Sequence, residues 1–315
     1  MKKVLCIGEA LIDMICTDKD RPLSEGENFI RKAGGAPTNA AAAIAALGGH
    51  VDLAAKVGND PFGAHLTSVL QDFGVGTKWL LRDTTHFTTM AFVSLMKSGE
   101  RDFHFNRGAD GYLGKTDLAA LDFDDYGIIH FGSATAFLGG DLQELYYFAL
   151  EKAKNNGNLF VSFDPNYRSL LFGHQQRAFI DHCWNFLDTA DFFKVSDEEA
   201  LLLTGKATIE EAAALFMEKT YAVFAITLGS EGCLLGRKNR LERIRGMEIE
   251  PVDTTGAGDA FTGAVLWQLQ QTVAARELSQ EKWQEILSLA NKAGAYTCTE
   301  YGAMNAFKKL RQKLG

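Results

Sequence analysis

Short, apolar, β-rich runs alternate with helix-like stretches along most of this chain. "KVLCIGEAL", "VDLAAKVG", "YGIIHFGSA", "LFVSFDP", "FFKVS" and "YAVFAITLG" read as strands. Helical periodicity covers 36–47, 61–73, 140–156, 175–188, 208–219, 257–270 and 281–298. That order predicts an α/β fold, a mostly parallel sheet with helices on both faces. Two stretches break the rhythm. Residues 14–33 are polar and extended, and 88–106 reads as a hairpin turning at Ser98–Gly99–Glu100. Together they predict a small discontinuous β lid, 14–33 and 88–106, over a main domain made of 1–13, 34–87 and 107–315.

One helix start carries unusual chemistry. In "DTTGAGDAFTGAVLWQL", Phe261, Val265 and Leu269 share one helix face, while Asp259 sits in the first turn behind Gly256, Ala257 and Gly258. A first-turn acid is favoured by the helix dipole and needs no further role. Glycines flanking Ala257, however, leave the amides of 256–259 unshielded, and free helix-start N–H groups form an anion site, most often for phosphate. An aspartate inside a phosphate site repels its ligand unless it has work to do. Accepting the proton of a hydroxyl that attacks phosphorus is work that fits.

Ligands of open α/β sheets bind beyond the carboxyl ends of the strands. Asp13, then Asp164, Asn166 and Arg168, then Ser196 and Glu199, then Thr227, Gly229 and Gly232 follow successive strand runs. Each alone also suits a turn; their convergence on one edge is the stronger signal. In "AGGAPTNAAAAIAALGG", Pro37 suits a helix start, which puts Asn39 in the opening turn behind Gly34–Gly35. This is either a tight turn into a helix or a pocket for several hydroxyls, with Asp13 facing it.

Composition narrows the classes. The 315 residues are 46% hydrophobic with 31 Gly and 5 Pro, enough for one large domain and an appendage and unlike a disordered tract. A net charge of −8 without a basic cluster argues against nucleic-acid binding. The longest apolar runs fall far below the ~20 residues that span a bilayer. Glu9 and Asp13 interrupt the apolar start, against a signal peptide. Five scattered cysteines (6, 16, 183, 233 and 298) without a CxxC suit reduced thiols in a cytoplasmic protein, with neither zinc nor a disulfide framework indicated.

"AGGAPTN…ALGG" and "DTTGAGDAF" resemble the two signatures of the ribokinase-like (PfkB) family of sugar kinases, and "VGNDPFG", "FDPNYR", "KVSDEEALLLTG", "TLGSEG" and "GAM" (302–304) resemble it at the expected places, so that the likeness spans essentially the whole chain. Within the family, "GGAPTN" and "DPNYR" look most like bacterial fructokinases. The resemblance implies a cytoplasmic, ATP- and Mg²⁺-dependent sugar kinase, with K⁺ as a further cofactor, that transfers the γ-phosphate to a fructose hydroxyl, O6 for this type. Asp259 would be the base and the amides of Gly256, Ala257 and Gly258 the anion hole. Asp13, Gly34, Gly35 and Asn39 would hold the sugar, with Arg168 near the sugar or the phosphoryl group and Arg107 a further sugar contact. Thr227, Gly229 and Gly232 would border the ATP phosphates, with Asn291 near the adenine. Asp253 and Thr255, with backbone around Gly302, would form a monovalent-cation site. Glu199 matches the acid of the family's Asn-x-x-Glu magnesium motif, in which Ser196 here replaces the asparagine. "FHFNRGAD" (103–110) is shorter than the usual fructokinase stretch. Sugar and ATP are then the partners, without nucleic acid or membrane, and two copies could pair through the β lid.

Other classes lack their signatures. "IGEALID" has a single glycine, "GAGDAFTG" breaks the dinucleotide pattern at Phe261, and a P-loop ending at "GKT" (114–116) fails at Ala109. A sugar-binding regulator without catalysis remains the alternative outside enzymes, against which Asp259 and its glycines stand intact. Among kinases, 2-keto-3-deoxygluconate is the alternative acceptor, because Arg107 and Arg168 could pair with a carboxylate.

Overall fold

The computed structural model describes residues 3–95 and 101–314. Its large sheet holds β1 (Lys3–Ile7), β4 (Val51–Gly58), β5 (Leu80–Asp83), β8 (Tyr126–Phe131), β9 (Phe160–Phe163), β10 (Phe192–Ser196), β11 (Val223–Thr227), β12 (Gly232–Arg237) and β13 (Arg240–Arg245). Their order is β13-β12-β11-β10-β9-β8-β1-β4-β5, and only the pairings of β12 with β11 and β13 are antiparallel. The small sheet has the order β3-β2-β6-β7, built from β2 (Leu11–Cys16), β3 (Phe29–Gly34), β6 (Met90–Leu95) and β7 (Arg101–Asn106). Strands β6 and β7 pair antiparallel as the expected hairpin; its turn at Ser98–Gly99–Glu100 lies outside the described residues.

The helices are α1 (Ala36–Ala46), α2 (Pro61–Phe73), α3 (Asp141–Asn155), α4 (Ser169–Phe172), α5 (Gln176–Leu187), α6 (Asp197–Thr204), α7 (Ile209–Lys219), α8 (Ala257–Gln270), α9 (Gln280–Thr297), α10 (Ala303–Phe307) and α11 (Leu310–Leu314). Two hydrophobic clusters cover the two faces of the large sheet. One packs α1, α8 and α9 on it through Ala41–Ala43, Val265 and Trp283; the other packs α3, α5 and α7 through Tyr146, Phe186 and Phe216. Among the described residues, no helix is long and apolar enough to cross a membrane.

The first apolar run differs from its sequence reading. "KVLCIGEAL" is not one strand: β1 stops at Ile7, and β2 begins at Leu11 in the other sheet. Gly8 turns the chain there with φ +146. Asp13 therefore lies within the small sheet, opposite Lys32 and Ala91, rather than in a turn after the first strand.

Small residues decide how α1 meets α8. A methyl on Gly263 would stand 2.6 Å from Ala43 Cβ, so the two backbones approach as only glycine and alanine allow. One turn earlier on each helix stand Asn39 and Asp259. The close crossing brings both helix starts to the same place.

Candidate active site

Asp259 occupies the first turn of α8 and is buried, and Asn39 Nδ2 donates to its Oδ2 at 2.8 Å. Gly256 caps the helix with φ +79 and no side-chain cap, and a Cβ there would overlap Ala303. Both observations demand glycine, and the absence of a capping side chain leaves helix-start amides for an anion, although the Ala257 amide donates to Thr254 O at 3.3 Å. Burial pushes the Asp259 carboxyl up to about 6, although Asn39, Arg168 and Lys194 all favour its ionised form.

Asp13 faces this group from the small sheet. A Cβ on Gly34 would displace Asp13 Oδ2 from its position, so glycine there lets the carboxylate lie against the backbone of β3. Burial likewise pushes the half-buried Asp13 carboxyl up to about 6, with Arg168 opposing the rise and Asp259 adding to it. Arg168 thus stands within electrostatic reach of both acids. It caps α4 at the end of the loop after β9, and its Nη1 donates to Tyr167 O at 3.0 Å.

Glu9, given no site role in the sequence reading, holds the start of α1. Its Oε1 accepts from Ala36 N at 2.9 Å, its Oε2 from Ser133 Oγ, and its backbone carbonyl from Thr38 Oγ1 at 2.9 Å. Gly35, the N-cap of α1, offers no side chain for this purpose.

Lys194 is the other residue missed. It is buried in β10 beside Asp164, its Nζ 3.1 Å from Oδ2, and Thr262 Oγ1 donates to the same oxygen at 3.1 Å. A lysine between Phe193 and Val195 in an apolar strand was the available signal, since a buried charge requires a partner.

Other expected residues have definite partners. Ser196 and Glu199 form a capping box on α6: Ser196 Oγ accepts from Glu199 N at 3.1 Å, and Glu199 Oε2 from Ser196 N at 2.8 Å. Glu199 Oε1 also accepts from Tyr167 N at 2.8 Å, which anchors the loop carrying Arg168. Asp253 accepts from Thr255 N at 2.9 Å and from Gly302 N at 2.8 Å. Burial would raise its carboxyl, but these bonds and the Lys32 charge hold it below the usual range.

Thr227 ends β11 and donates to Val195 O at 3.3 Å, Gly229 borders open space, and Gly232 begins β12. Asn291 Nδ2 donates to Ile244 O and Arg245 O, tying α9 to β13. Arg107 donates to Gly139 O at 2.9 Å and Thr135 O at 3.1 Å and pairs with Asp110. Those contacts tie its guanidinium to the 135–139 loop.

A buried carboxylate at an uncapped helix start, bonded to Asn39 and coupled to Asp13 of a second sheet, is the arrangement of a phosphotransferase with a hydroxyl acceptor. Residues 1–310 match the pfkB family carbohydrate kinase, and the chain belongs to that family. It is 35% identical over 306 residues to fructokinase-1 of Oryza sativa subsp. japonica, covering 96% of this chain and 93% of the relative. The fructokinase of Vibrio cholerae O395, solved with fructose, ADP and calcium ion, superposes with a TM-score of 0.85 at 29% identity, covering 100% of this chain and 99% of that one. Fructokinase from Xylella fastidiosa with bound ATP gives 0.85 at 28% identity over 99% and 97%.

The raised carboxyls set a pH dependence. A base must be ionised to act, so kcat/KM should fall on the acid side with an apparent pKa near 6, a value belonging to the coupled Asp13–Asp259 pair. An acid limb near 4 in initial-rate profiles would contradict it.

Proposed function

We propose that this protein is an ATP-dependent fructokinase that phosphorylates fructose at O6. The observation that carries the reading is the buried Asp259, held by Asn39 at the helix start and within electrostatic reach of Asp13 and Arg168. The acceptor hydroxyl sits between Asp259 and the amides of 256–259. Asp259 takes its proton as the oxygen–phosphorus bond forms, and positioning and charge neutralisation supply most of the acceleration. Asp13, Gly34, Gly35 and Asn39 hold the remaining hydroxyls. The small sheet acts as a lid that keeps water, a competing acceptor, from the γ-phosphate.

Charge supports a neutral sugar over a sugar acid. Arg168 already faces two carboxylates, Asp13 and Asp259; an acceptor with its own carboxylate would add a third negative charge. Open space at Gly229 fits ATP phosphates at the end of β11. Glu199, whose oxygens each accept a backbone N–H, would meet phosphate-bound Mg²⁺ through the ion's waters. The ionised Asp253, tied to Gly302, fits K⁺ beside the anion hole. When bound, these ions neutralise phosphate charge and stiffen the loop. Two copies pair through the small sheet, where Ile15 and Ile30 oppose each other and are 39% and 49% exposed.

Coupled ADP-release assays test the acceptor. Fructose should exceed ribose and 2-keto-3-deoxygluconate in kcat/KM by at least ~10-fold, about 1.4 kcal/mol of differential transition-state binding. Preference for the keto-acid, reversed by Arg168→Ala, would overturn the fructose assignment and leave the kinase standing.

A further inference from the structure

Lys194 and Asp164 make an ion pair with side chains 7% and 1% exposed, between β10 and the loop after β9. Such a pair is a poor way to stabilise a core, because dehydrating both charges consumes most of the attraction, and apolar residues of similar volume serve as well or better. Its location gives it another use. A Cβ on Gly258 would stand 3.2 Å from Lys194 Nζ, so the ammonium lies against the first turn of α8, beside the amides that form the anion site. Glycine at 258 keeps the space between them open. Asp164 engages at most two of the three N–H groups of the ammonium, and through Thr262 it is tied to α8 one turn beyond Asp259. The lysine and the base are therefore held by the same helix. Burial works against the ammonium, but Asp164, Glu199 and Asp259 together keep it protonated.

We propose that Lys194 is a catalytic residue, whose ammonium contacts the phosphoryl group during transfer while Asp164 holds it in place. The inference deepens the ATP-dependent kinase reading and rests on it. In the step, the acceptor oxygen–phosphorus bond forms as the bond from phosphorus to the bridging oxygen of ADP breaks. ADP leaves with that electron pair, and the acceptor proton goes to Asp259. Lys194 keeps its own proton and donates hydrogen bonds to the phosphoryl oxygens, whose charge it offsets.

The test compares Lys194→Met, Lys194→Arg and the double variant Lys194→Met/Asp164→Asn, which removes the carboxylate that the single change leaves unpaired. Fructose-dependent kcat, the KM for ATP, the Kd for ADP and the Kd for the ADP–aluminium fluoride–Mg²⁺ complex are measured for each. Lys194→Met and the double variant should both lose about 10²–10³-fold in kcat, the cost of removing one donor from an oxyanion site. Affinity for ADP–aluminium fluoride should fall by a similar factor, with the ADP Kd unchanged and Lys194→Arg partly active. Recovery of parental kcat in the double variant would show that Lys194 merely neutralises Asp164, and the proposal is then overturned. If Lys194→Met does not fold, the double variant and Lys194→Arg decide. A parent enzyme inactive on fructose overturns the acceptor reading alone; loss of ADP–aluminium fluoride affinity in the double variant still supports the role of Lys194, and retention overturns it.

Discussion

Asp259→Asn lowers kcat by about 10²–10⁴-fold, the range for removing a general base, and leaves the ATP affinity close to that of the parent enzyme. The amide keeps the shape of the side chain and can still accept the Asn39 Nδ2 bond, so the loss falls on proton transfer and not on geometry. The same substitution should not reduce stability at pH 8, and the sign follows from burial. Asp259 is pushed up to about 6 from 3.8. Its stabilising contribution is full below the unfolded value and lost as pH rises through the folded one. At pH 8 the ionised carboxylate is a cost that a neutral amide removes. Single-turnover kinetics and thermal unfolding at pH 5 and 8 check both halves. Near-parental kcat would remove Asp259 from the role of base, and a lower Tm at pH 8 would make it a structural cap.

Asp13→Ala should lower kcat/KM for fructose by about 10²-fold, since hydrogen bonds to a charged group contribute roughly 1.5–3 kcal/mol each and at least one is lost. Slow ATP hydrolysis without sugar should persist, because the proposed role of Asp13 is to hold the acceptor and not the nucleotide. The acid limb of the pH profile should also move to lower pH. Asp259 raises Asp13 by repulsion, and because an interaction between two titrating groups is reciprocal, removing Asp13 relieves Asp259. A fall in Tm with unchanged sugar selectivity would instead make Asp13 a strand residue of the small sheet and nothing more.

Much of the fold was legible because its signals are local. "VDLAAKVG" and "FFKVS" are β4 and β10 to the residue, and the helix expected over 61–73 is α2, with Asp60 as its side-chain N-cap and Gly74 as its left-handed C-cap. Apolar periodicity, capping chemistry and helix breakers act within one or two turns, and so they are written in adjacent residues. The strands not anticipated, β5 and the β12–β13 hairpin, sit at the two edges of the large sheet. Edge strands are partly solvated, and β13 reads "RLERIR", a polar run with little of the apolar signal of a central strand. Ser196 and Glu199 show a local signal of a different kind: their spacing is that of a capping box as well as of the magnesium motif, and the structure forms the box.

The chemistry divides along the same line. By itself the sequence determined that a carboxylate would stand at a glycine-fronted helix start, because helix phase and glycine spacing are local properties, and the PfkB family of sugar kinases could be read from its signatures. Only the tertiary structure decided what that carboxylate meets. Asn39 reaches Asp259 across 220 residues of chain, and it does so because Gly263 and Ala43 let two helices close up. The same holds for Lys194, a single polar letter in an apolar strand until Asp164 and Gly258 arrive from other elements. Arg107 and Asn291 likewise meet partners that no neighbouring residue announces, donating to backbone carbonyls of distant segments. Burial and long-range partners set which charges are free to act, and neither is a property of neighbouring residues.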